Sequence, residues 1–107
     1  MTLRDKLKAM TAPCREADAE IAATFDPELC FIFDDEDEPN LAPHYTASLD
    51  ATVELVEREM PLGDWRIRRA VGDYTSLIVD RGAQWRTRHA LPAVALLLTL
   101  LEAKEME

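Results

Sequence analysis

The chain is poor in the residues that would place it in a special class. It has two cysteines, Cys14 and Cys30, too few for a disulfide framework at this size and outside any paired metal-ligand spacing, so a reducing compartment is expected. With three glycines and six prolines it is neither collagenous nor a low-complexity disordered chain. No apolar run reaches the roughly 20 residues that span a bilayer. The longest, residues 90–101, is broken by Pro92 and Thr99. The opening residues 2–10 carry Arg4, Asp5, Lys6 and Lys8 in place of the basic-then-apolar pattern of a signal peptide. The expected location is therefore cytoplasmic. Bases are also scarce: twelve Lys and Arg stand against twenty-one Asp and Glu, a formal net charge of −9. That charge argues against nucleic acid or an anionic membrane as a direct partner and favours a basic protein surface.

What is present suffices for an ordinary core. Hydrophobic residues make up 48% of the 107 and charged residues 31%, as expected of one globular domain over residues 1–107. Thr2 followed by Asp5 has the form of a capping box, with Leu3, Leu7 and Met10 at helical spacing behind it. Pro13 suits the first turn of a second helix, in which Cys14, Ala17, Ile21 and Phe25 form an apolar stripe while Glu16 and Glu20 face water. Residues 29–33 read as a short buried strand. Thr46 or Ser48 caps a middle helix with Leu49, Val53, Val56 and Met60 on one face, ended by Pro61 and Gly63. Strands at 64–71, with Trp65, Ile67, Arg69 and Val71 on one face and Arg66, Arg68 and Ala70 on the other, and at 74–81, with Leu77 and Val79 alternating, then form a hairpin about Gly72-Asp73. Residues 84–89 read as a polar connection, and Pro92 opens a last helix apolar nearly all round. The predicted architecture is an α/β domain in which a small, mostly antiparallel three-stranded sheet packs with helices in the order α-α-β-α-β-β-α.

Two landmarks give that order a likeness. They are His44-Tyr45-Thr46-Ala47-Ser48-Leu49-Asp50-Ala51, followed by Trp65, and Ala90-Leu91-Pro92-Ala93-Val94-Ala95-Leu96. Over about residues 15–103 the chain resembles the small phage proteins of the phage ABA sandwich domain family, in which a short sheet lies between helices. The resemblance implies a fold and a phage or prophage origin, and it brings no catalytic residues with it. The extra N-terminal helix and the acidic run of this chain depart from the family pattern.

The charge is unevenly spread. Residues 1–60 hold fifteen acids and five bases, whereas residues 61–107 hold six acids and seven bases. The densest patch is Asp34-Asp35-Glu36-Asp37-Glu38. An extended chain rises about 3.3 Å per residue, close to the 3.4 Å per charge of one DNA strand, so the patch has a nucleic-acid-like charge density. Together with Asp26 and Glu28 it is the candidate partner-binding site, and a solvated loop is the other reading. Calcium binding is disfavoured: counted from Asp35, the sixth and twelfth positions of an EF-hand loop hold Asn40 and Thr46 where Gly and Glu are needed. Arg66, Arg68, Arg69, Arg81, Arg86 and Arg88 are the one basic concentration, interleaved with Trp65 and Trp85. They could meet phosphate, or pair with neighbouring acids and cover apolar surface with their stems.

Catalysis needs a nucleophile, a base and an orienting group together. His44, His89, Cys14 and Cys30 sit in no such motif, and no phosphate loop or zinc signature occurs. The expectation is a protein that is not an enzyme, with no cofactor and no metal. It would be an acidic phage-derived protein bound to a basic surface of a host nucleic-acid-handling complex such as a CRISPR effector. Its sharpest version is an anti-CRISPR inhibitor acting by nucleic-acid mimicry or steric block. The alternative is a structural or accessory phage protein that self-associates, as a homodimer for example, through the apolar last helix.

Overall fold

The computed structural model describes residues 2–25 and 43–104. The strand expected at 29–33, the acid run Asp34, Asp35, Glu36, Asp37 and Glu38, and Asp26, Glu28 and Cys30 lie outside the described residues. Within them the elements are α1 (Leu3–Ala9), α2 (Arg15–Phe25), α3 (Leu49–Glu59), β1 (Asp64–Ala70), β2 (Asp73–Asp80), β3 (Ala83–His89) and α4 (Pro92–Ala103). The domain is mixed α/β with a three-stranded antiparallel sheet in the order β1-β2-β3.

The capping box forms as the sequence implies. Thr2 Oγ1 accepts the Asp5 N–H and Asp5 Oδ2 accepts the Thr2 N–H, which satisfies donors that helix geometry leaves free. The Thr2 hydrogen bonds hold the exposed Asp5 carboxyl below its usual value. Lys6 pairs with Glu20 of α2, and that hydrogen bond raises the Lys6 ammonium above its usual value. In α2, Ala17 and Ile21 are buried as expected, Phe25 only partly, and Asp18 and Ala22 join the buried face, while Cys14, expected on the stripe, precedes the helix and is half-buried. Ser48, not Thr46, is the cap of α3. The buried face of that helix is Thr52, Leu55 and Val56 with Met60, so it is rotated from the expected stripe, and Leu49 and Val53 are half-buried. A polar residue can occupy that face because the Thr52 hydroxyl donates to the Tyr45 carbonyl at 2.7 Å.

The sheet is a meander with two-residue turns. Ala70 pairs with Asp73, so the first turn is Val71-Gly72, one residue earlier than Gly72-Asp73; Val71 is 99% exposed and Gly72 supplies φ 81°. The second turn, Arg81-Gly82, has φ 52° and 82°, the pair of signs that a type I′ hairpin requires. It leads into β3 over residues that the sequence suggested were a polar connection. The side chains of β3 do alternate, but the inward set is Trp85, Thr87 and His89, a row with one large apolar member.

Residues 93–101 of α4 are all buried. The sheet covers one side of this helix through β2 and β3, while α1 and α3 cover the others, which is why its apolar character runs all round. Each fully buried Leu there contributes about 1.5–3 kcal/mol. Leu96, Leu97, Leu100 and Leu101 are the centre of the core, with Leu7, Ile21, Leu55, Val56 and Ile78 around them.

Candidate functional site

Strand alternation sorts the sheet into two chemistries. Across one face run Trp65, Ile78 and Trp85, then Ile67, Ser76 and Thr87, in register. This face meets the core; Ile78 is fully buried and both tryptophans pack against the apolar cluster. Thr87 Oγ1 reaches the Ala95 carbonyl of α4 at 2.6 Å and Thr99 Oγ1 at 2.7 Å, which ties the strand to the helix. Trp65 and Trp85 thus interleave with the arginines along the chain but share no surface with Arg66, Arg68, Arg86 and Arg88. Adjacent positions on a strand point to opposite sides, so the tryptophans face the core and the arginines face water.

The opposite face carries Arg66, Leu77 and Arg86 in one row and Arg68, Thr75 and Arg88 in the next. The four arginines are exposed, and Leu77 and Thr75 lie half-buried between them. Arg66, Arg68, Thr75, Leu77 and Arg86 line a shallow depression of about 350 Å³. With strands about 4.8 Å apart and about 6.8 Å between alternate residues, the guanidinium-bearing positions form a rectangle of about 7 by 10 Å. Two corners are partly neutralised: Arg88 Nε lies 2.9 Å from Asp73 Oδ2, and Arg66 Nη2 lies 3.5 Å from Asp64 Oδ2. Arg68 and Arg86 pair with no acid among the described residues. Arg69 lies on the other face, opposite Tyr74, and Arg81 is in the turn, so neither belongs to the array.

Acid gathers elsewhere. Asp50, Glu54 and Glu57 stand at i, i+4 and i+7 on the exposed side of α3, and Glu16 is exposed on α2. Asp18, by contrast, is buried: its Oδ1 accepts from the Thr46 N–H and from Thr46 Oγ1, each at 2.8 Å, while Oδ2 accepts from Arg15 Nη1 at 2.8 Å. Thr46 Oγ1 in turn accepts the Cys14 N–H at 2.9 Å. This network fastens the turn before α3 to the start of α2 across 28 residues of chain. It gives the Thr46 of the His44–Ala51 landmark a structural task in place of helix capping. No sequence spacing marks Asp18 as buried, because Thr46 lies 28 residues along the chain.

The candidate catalytic groups stay apart. His44 is exposed, and Cys14 is a half-buried free thiol. His89 is nearly buried, and its Nδ1 accepts the Leu91 N–H at 3.0 Å, which satisfies the backbone donor of the residue that precedes α4. Among the described residues no three His, Cys, Asp or Glu side chains come together as a metal-ligand set, and no helix is long and apolar enough to cross a membrane. Comparison with protein-family models, with curated proteins and with solved structures finds no match to this chain.

Proposed function

We propose that this is a non-enzymatic, phage- or prophage-derived binding protein that occupies a basic surface of a nucleic-acid-handling complex, in its sharpest form as an inhibitor of the anti-CRISPR type. The observation that carries the reading is the segregation of charge: fifteen acids against five bases in residues 1–60, with Asp50, Glu54 and Glu57 on the open side of α3. An acidic surface of this kind accelerates encounter with a Lys/Arg-lined channel and competes there with nucleic acid. Asp34, Asp35, Glu36, Asp37 and Glu38, with Asp26 and Glu28, supply the densest charge for that contact. Self-association through the last helix is the weaker reading, because the apolar residues of α4 are occupied inside the chain.

The test is charge neutralisation. Replacing the five acids at 34–38 by Ser or Asn, and separately Asp50, Glu54 and Glu57 by Ser, is expected to slow association with an effector complex isolated on the wild-type protein and to flatten its salt dependence. Added oligonucleotide should compete with the wild-type protein for that complex. Unchanged affinity and salt slope in both variants would remove the reading.

A further inference from the structure

The arginine face of the sheet is a second, oppositely charged surface that the proposed function does not use. We propose that it docks an extended acidic segment of a partner protein, with acidic residues at alternate positions and an apolar residue near them. The periodicity supports this occupant. In an extended peptide, side chains at i and i+2 project to the same side about 6.8 Å apart, the spacing of Arg66 and Arg68 on β1 and of Arg86 and Arg88 on β3. The planar guanidinium takes a carboxylate through two parallel hydrogen bonds. Arg68 and Arg86, without an acidic partner among the described residues, are the principal contacts; they lie diagonally across the array about 12 Å apart, a separation approached by positions i and i+4 of an extended segment crossing the sheet. Leu77, half-buried between them, offers the apolar contact.

Three observations favour a short acidic peptide over nucleic acid. The array is small and bounded, with Asp64 and Asp73 at its ends, whereas nucleic-acid affinity accumulates over many phosphates. Both tryptophans face the core, so the surface has no aromatic platform for stacking bases. The chain as a whole carries −9, which repels a long polyanion more than a segment with two or three carboxylates.

The test is fluorescence anisotropy on the full chain at low salt. The probes are a labelled ten-residue peptide of alternating Glu with two Leu, a neutral Gln version, and a single-stranded oligonucleotide of equal charge. The acidic peptide is expected to bind, the Gln peptide at least tenfold more weakly, and the double variant R68S/R86S to lose at least tenfold for the acidic peptide while R81S loses none. A thermal melt of each variant guards against misfolding, and K104S serves as a second control. Tighter binding of the oligonucleotide than of the acidic peptide would overturn the inference. So would equal binding by R68S/R86S and the wild-type protein, or absence of binding. The acidic surfaces invoked in the proposed function are unaltered in these variants, so the two readings fail independently.

Discussion

Trp65, Ile78 and Trp85 line up across the three strands on one face of the sheet and pack against the core, which α4 meets through β2 and β3; one residue along each strand, Arg66, Leu77 and Arg86 line up on the other face and meet water. The same backbone thus supplies a core wall and a charged surface. A slip of one residue in register would exchange them, placing arginines against the leucines of α4 at a desolvation cost far above domain stability. The chemistry of the outer face is therefore part of what holds the register, and its residues can serve a surface role without contributing much to packing.

The largest expected effect separates the faces directly. Ile78→Ala should lower stability by about 2–4 kcal/mol, because Ile78 is fully buried at the centre of the inner face. Leu77→Ala, its neighbour on the outer face, should cost less than about 1 kcal/mol. Urea denaturation of the pair measures the contrast, and equal losses would break it. A smaller effect of opposite sign belongs to Ser76, which is buried on the inner face with its hydroxyl unpartnered. Ser76→Ala should raise stability by about 1 kcal/mol, visible as a higher denaturation midpoint at constant slope.

The turn that joins β2 to β3 comes next. Arg81 holds a left-handed conformation that Asn adopts more readily, so Arg81→Asn should add about 0.5–1 kcal/mol, and Gly82→Ala, at φ 82°, should remove about 1 kcal/mol. Both shifts read out in thermal melts, and Gly82→Ala without loss would argue against the turn geometry. The smallest effect is on the arginines: Arg68→Ser or Arg86→Ser should change stability by less than about 0.5 kcal/mol, since exposed charges contribute little to folding. A larger loss would mean that the face is a packing surface.

Much of this contrast could be seen in the residues before the fold was known. The 64–71 and 74–81 alternation marked the first hairpin to within a residue, and Thr2 with Asp5, Ser48 and Pro92 marked three helix starts. The third strand escaped notice because its inward row includes Thr87 and His89, whose partners, Thr99 and Ala95 for one and Leu91 for the other, sit on and just before α4. The buried Asp18 escaped notice for a similar reason: the atoms that satisfy it belong to Thr46 and Arg15, and only the fold brings the first of these near. Among the candidate site residues, strand alternation in the sequence sets Arg66 and Arg68 on the face opposite Trp65, Ile67 and Arg69, but it does not join Arg86 and Arg88 to them, because residues 84–89 read as a connection. Their joining depends on strand parity and on where the turn falls.

The order β1-β2-β3-α4 has a kinetic consequence. Each strand pairs with its immediate neighbour in sequence through a two-residue turn, and the helix that covers the sheet follows two residues after β3. Residues 64–103 can therefore assemble from short loop closures alone, the low-contact-order condition for rapid folding. The N-terminal helices must wait for closures such as that between Asp18 and Thr46. In hydrogen exchange the amides of β2 and α4 should be the last to open, and those of α1 should open first, by sub-global release of the N-terminal segment from an intact sheet and helix.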